Sequence, residues 1–212
     1  MRNLLLAAVT AAALFTGAAN AVPVIQVAQT SGANTISATT NVGLTQTTIS
    51  GIDVGIIVTQ NLGGVLGGAY LSIFAQSVDA AQPIGTAVLQ HYAGNFQITT
   101  GLGGSGVNLL SGTFTDAAFG NGGSLVIGIS APPDTLVLTS DVLTAAQLQP
   151  PVALAFSLTN VTPAIHIEGT TLGAFGATIS GNASAADVPE PASMAILGLG
   201  LLGLAAARRK AA

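Results

Sequence analysis

Between Thr35 and Ser180 the chain is cut into short stretches rich in Val, Ile, Thr and Ser, with Gly and Asn in the gaps. That pattern limits the fold more than any other feature. β-Branched and hydroxyl side chains suit a pleated, half-buried surface, and Gly and Asn supply the turns between strands. Strands are predicted over 35–40, 44–50, 52–60, 69–78, 85–92, 95–100, 107–114, 124–130, 135–139, 151–158, 164–168 and 172–180. Phe96 and Ile98 alternate with Gln97 and Thr99, the two-residue period of a strand. One short helix is predicted at 141–148, capped by Asp141 and stopped by Pro150 and Pro151. The expected class is all-β, a β-sandwich of jelly-roll type.

Charge is unusually placed. Arg2 stands at one end and Arg208, Arg209 and Lys210 at the other, with no Lys or Arg from Asn3 to Ala207. The acidic residues in that interval are Asp53, Asp79, Asp116, Asp134, Asp141, Glu168, Asp187 and Glu190. A sparse, purely anionic middle is a poor partner for nucleic acid, because nothing there can replace the counterions on phosphates. The chain has no cysteine, which excludes disulfides, thiolate catalysis and cysteine metal sites.

The two ends read as addresses. Met1-Arg2-Asn3, the apolar run Leu4 to Gly17, and Ala18-Ala19-Asn20-Ala21 have the three-part form of a secretory signal peptide over 1–21, with cleavage expected after Ala21. Near the other end, Pro189-Glu190-Pro191 is followed by a mostly apolar stretch, 192–207, and then by Arg208-Arg209-Lys210. Each proline disfavours helix at the residue before it, so a helix can begin only at or after Pro191. Sixteen residues make a helix of roughly 24 Å, slightly short of a ~30 Å hydrocarbon core. A single transmembrane helix is expected there, with the basic triplet cytoplasmic and the preceding domain outside. The expected division is an ectodomain at 22–181, a small polar linker at 182–187 and the C-terminal signal at 188–212.

The order Val-Pro-Glu-Pro, short apolar helix and Arg-rich end resembles the PEP-CTERM sorting signal of Gram-negative bacteria. The resemblance covers Val188 to Lys210. It implies processing by exosortase, an inner-membrane transpeptidase-like protease, near the Pro-Glu-Pro motif. Pro189, Glu190 and Pro191 would then be recognition residues of a substrate. The protein would sit in the inner membrane only transiently.

The remaining sequence offers little chemistry. Gly101-Leu102-Gly103-Gly104-Ser105-Gly106 matches a dinucleotide fingerprint but leads into a predicted strand, where a helix N-terminus would be needed. The match at Gly198 to Gly203 lies in the expected membrane span. His166 and Glu168 share a face of a predicted strand but have no third metal ligand nearby. His91 lies near a strand end beside Tyr92. Asn160-Val161-Thr162 and Asn182-Ala183-Ser184 match the N-glycosylation pattern. No catalytic residue, metal or cofactor is therefore expected. The leading expectation is a non-enzymatic surface or extracellular-matrix protein with exosortase and then extracellular polysaccharide or other copies of itself as partners. A glycan-binding lectin or adhesin is the alternative, and a hydrolase stands third.

Overall fold

The computed structural model describes residues 21–30, 35–85, 87–120, 124–127, 135–148 and 152–186. Its strands are β1 (Ala21–Gln29), β2 (Ile36–Thr40), β3 (Thr47–Asn61), β4 (Gly67–Ser77), β5 (Gln82–Ile84), β6 (Ala87–Thr99) and β7 (Asn108–Gly120). They continue with β8 (Ser124–Ile127), β9 (Leu136–Thr139), β10 (Val152–Thr162), β11 (Ile167–Glu168), β12 (Thr171–Leu172) and β13 (Phe175–Ala186). The all-β expectation holds as a mainly antiparallel sheet.

The pairing follows the chain. β3 pairs with β4, β4 with β6, β6 with β7, β7 with β8, β8 with β10 and β10 with β13, each antiparallel. β13 neighbours β1, and β1 pairs back to β3, so these strands form a closed ring. β2 prolongs the line of β1 along β3 and pairs β13 as well. β9 similarly prolongs the line of β8 along β7. This is a meander closed on itself, and it corrects the jelly-roll expectation. A jelly roll needs Greek-key crossings between two sheets, whereas short links here favour pairing of sequence neighbours.

A ring of about eight strands is just wide enough for side chains to fill. Along β4, Ala69, Leu71, Ile73 and Ala75 are all buried, and so are Phe96 and Ile98 on β6. On β3 the buried positions are Ile49 and then Val54, Ile56 and Val58, out of phase with each other. A bulge between Gly51 and Val54 shifts the register and restores the inward face. The opposite walls meet where Phe96 of β6 packs edge-on to Phe156 of β10, ring centroids 5.7 Å apart. Gly94 lets β6 pass close to β4, since a Cβ there would lie 2.0 Å from the Phe74 carbonyl oxygen. Among the described residues, the buried core runs from Val24 to Ile179. The stretch 22–185 is a compact unit and carries its own core.

Two local expectations change. Residues 141–148 hold only a short 3₁₀ turn, Ala145–Leu148. Asp141 does not cap it: its Oδ2 accepts from the Asn108 N–H at 2.8 Å, and the Ser140 hydroxyl accepts from the Val142 and Leu143 N–H groups. The expected linker 182–187 is strand as far as Ala186, with Ala185 opposite Val152. Backbone pairing needs no particular side chain, so small residues extend the ladder. The expected span 192–207 lies outside the described residues, and no described helix is long and apolar enough to cross a membrane.

Candidate functional site

The first concentration of polar chemistry closes one end of the ring. The crossover between β10 and β13, which contains the β11–β12 hairpin, is fastened there from several sides. Thr170 N–H donates to the Leu44 carbonyl and Ala81 N–H to the Thr170 carbonyl, both at 2.9 Å. Beneath lies a buried cluster centred on Gln90, whose residue is wholly inaccessible. Its Nε2 donates to the Asp79 carbonyl at 2.8 Å and to Thr171 Oγ1 at 2.9 Å. Its Oε1 accepts from the Tyr92 hydroxyl at 2.9 Å and the Leu172 N–H at 3.0 Å. The Thr47 hydroxyl bonds the Thr171 hydroxyl and the Leu172 carbonyl. Burial is the main cause that pushes the Tyr92 phenol well above its ordinary range, with the nearby Asp79 charge adding to it. The cluster is a structural lock.

His91, flagged from sequence, points away from that cluster. Its Nδ1 is 2.5 Å from Asp79 Oδ2, and its N–H donates to Asp79 Oδ1 at 2.9 Å. Asp79 therefore orients the imidazole and anchors the strand at once. His166 and Glu168 sit in the crossover, with His166 Nδ1 2.9 Å from the Ala164 carbonyl oxygen. Among the described residues no three His, Cys, Asp or Glu side chains gather as a metal site. The Gly101–Gly106 segment forms a turn stabilised by positive-φ glycines, and Gly103 N–H donates to Asp53 Oδ1 at 2.9 Å. It opens no helix of the dinucleotide type. Asn160 is exposed on β10 and donates to Thr178 Oγ1 at 3.3 Å.

The second concentration is on the outside. Pairing aligns Phe74, Asn95, Thr113 and Val137 in one row across β4, β6, β7 and β9. A parallel row holds Ser72, Gln97, Ser111 and Thr139. The β6, β7 and β9 members of the two rows line a depression of about 250 Å³. A second depression of about 290 Å³ lies where Gln26, Thr59, Ser157 and Ser180 meet. Six of the eight aromatic residues of the described domain are buried; Tyr70 and Phe74 are the two that are not.

The address residues come last. Ala21 is the first residue of β1. Pro189, Glu190, Pro191, Arg208, Arg209 and Lys210 lie outside the described residues. A family model described as the PEP-CTERM protein-sorting motif matches residues 187–210. The chain carries a PEP-CTERM sorting motif. That motif marks an exosortase substrate, exported and sorted through its C-terminus to the cell surface. It begins one residue after β13 ends. No curated protein and no solved structure matches the chain.

The sorting motif is contiguous and legible in the sequence, whereas the Gln90 cluster and the two outward rows are not. Gln90 and Thr171 are 81 positions apart, and nothing local marks them as partners. The rows were detectable only after the strand register was known.

Proposed function

We propose that this is a non-enzymatic surface or extracellular-matrix protein, of the kind that builds biofilms, delivered as a folded barrel by its two terminal signals. The observation that carries the reading is a PEP-CTERM motif abutting the last strand of a closed domain with a filled interior. With aromatic and aliphatic side chains occupying the inside, contacts with other molecules fall on the outer faces and loops. The chain would lose its signal peptide after Ala21 and pause in the inner membrane through a helix at 192–207. Arg208, Arg209 and Lys210 would hold the cytoplasmic side until exosortase acts near Pro189-Glu190-Pro191. The mature domain would then remain at the surface or enter the matrix.

Intact-mass measurement of the protein recovered from its host tests the route. The expected mass starts at Val22 and lacks 208–212. A recovered chain that still ends at Ala212 refutes processing. Pro189→Ala with Pro191→Ala is expected to leave the chain uncut in the membrane fraction. A lectin reading is favoured by one observation, the aromatic and amide side chains of the outer face.

A further inference from the structure

We propose that the outer face of β4, β6, β7 and β9 binds a neutral polysaccharide chain, laid along Tyr70, Ser72 and Phe74 and across the Asn95 and Gln97 rows. This rests on the surface-protein reading above and specifies its partner.

Four features converge on that chemistry. Tyr70, Ser72 and Phe74 alternate with buried Leu71 and Ile73, so they share the solvent side of β4. Four residues of strand separate Tyr70 from Phe74 by ~13 Å, which sets two rings along one line. Phe74 is 47% exposed and Val137 is 57% exposed, a cost in water that a stacked apolar partner would remove. A pyranose ring offers such a partner through its C–H face.

Between these apolar markers the side chains are amides and hydroxyls. Asn95 lies opposite Phe74 and Gln97 opposite Ser72, with Thr113 and Ser111 next across the sheet. An amide carries both donors and an acceptor, so it can bridge neighbouring sugar hydroxyls, which are themselves donors and acceptors. The Ser111 and Thr139 hydroxyls are already 2.8 Å apart, and Asn108 Nδ2 donates to Ser111 Oγ at 2.9 Å, which holds this row in place. Asn95, Gln97, Ser111, Thr113, Val137 and Thr139 line an open depression beside β4, as a shallow polymer site requires.

Charge selects among polymers. Neither row contains an ionisable group, and no Lys or Arg occurs between Asn3 and Ala207. The charges nearest the rows are both negative: Asp53, whose backbone N–H donates to the Ser72 hydroxyl oxygen at 3.1 Å, and Asp141, whose carboxylate accepts from the Asn108 N–H. A polyanion would meet repulsion with no counter-charge. The other outer depression, by Gln26 and Ser180, has hydroxyls but no aromatic ring among its lining residues, whereas exposed Phe74 pairs directly with Asn95 at the edge of the first.

The test uses the purified full chain in detergent, titrated with cellohexaose, laminarihexaose, mannohexaose and xylohexaose, with polygalacturonate as the charged comparison. Saturable binding of at least one neutral hexasaccharide and none of polygalacturonate is expected. Phe74→Ala and Asn95→Ala should each weaken it by about tenfold, roughly one lost aromatic or bidentate contact. Phe74→Trp should retain it, and all three variants should keep the parent's thermal midpoint. Binding by none of the four sugars overturns the proposal, as does unchanged affinity in folded Phe74→Ala and Asn95→Ala. A Phe74→Asp variant that dissociates an oligomer while sugar affinity stays constant also overturns it, in favour of a second copy as occupant. Chromatography of the sugar after prolonged incubation separates the two readings. A shortened sugar refutes the non-enzymatic role while the bound face stands, and absent binding refutes the face while sorting stands.

Discussion

The contact between Phe156 and Gly181 gives a quantitative test of the closed ring. The two residues face each other in the β10–β13 ladder. Phe156 is fully buried, and a Cβ on Gly181 would lie 2.5 Å from its Cδ1 and 2.9 Å from its Cε1. In the parent, Gly181→Ala therefore overpacks the core and should cost about 1–3 kcal/mol. Phe156→Ala should cost about 3–5 kcal/mol, including ~0.5–1.5 kcal/mol for the edge-on pair with Phe96. In the Phe156→Ala background both ring contacts vanish and only the Ala155 carbonyl oxygen, 3.1 Å from the new Cβ, stays close, so Gly181→Ala should instead recover up to ~0.8 kcal/mol. The sign of one substitution thus reverses with the other, a coupling of roughly 2–4 kcal/mol, at or above the usual range for touching residues. Urea unfolding of the 22–186 fragment, followed by far-ultraviolet circular dichroism, measures each corner of the cycle as a midpoint shift at constant slope. If Gly181→Ala destabilises equally in both backgrounds, Phe156 does not fill the space beside β13 and the packing described here is wrong.

Other outcomes follow from the lock at the end of the ring. Gln90→Ala strands the Leu172 N–H and removes the acceptor of the Tyr92 hydroxyl; at about 1–3 kcal/mol for each buried group left unmade, a loss of ~2–6 kcal/mol is expected in urea unfolding. Amide exchange should quicken first at Thr171 and Leu172. Because folding raises the Tyr92 pKa, the unfolded chain gives up that proton first as pH climbs. Stability from this group is whole below ~10, the unfolded value, and falls above it by up to ~1.4 kcal/mol per pH unit. Unfolding midpoints measured across alkaline pH should show this slope in the parent and its reduction in Tyr92→Phe.

The sequence shows strand content well because strands leave a local trace, and connectivity poorly because it does not. Gly51-Ile52-Asp53 has turn composition, so two strands, 44–50 and 52–60, are predicted around it. In the fold it is a bulge within β3, where Asp53 has φ 51° and Ser72 and Gly103 make contacts to it. Ala93-Gly94 is the same case inside β6. A turn and a bulge call on the same residues, and only the partner strand distinguishes them. No strand is predicted before residue 35, yet Ala21–Gln29 forms β1, with Pro23 inside it. The sorting motif, by contrast, is contiguous and is read as a linear segment. Its legibility owes nothing to the fold. The pairing of His91 with Asp79 and the facing of Asn95 to Phe74 depend on register, which a single sequence does not encode visibly.

The placement of the chain ends has a consequence for how such a domain can be handled. β1 and β2 run the same way along β3, and β2 is antiparallel to β13. Residues 22 and 185 therefore lie at the same end of the ring, opposite the Gln90 lock. Entry and exit through one doorway make the barrel a cassette. Its address labels can be exchanged without threading new chain across it, and a short bridge from residue 185 to residue 22 should permit a circularly permuted form opened at another loop. Evolution has the same freedom: cargo and postage can change independently.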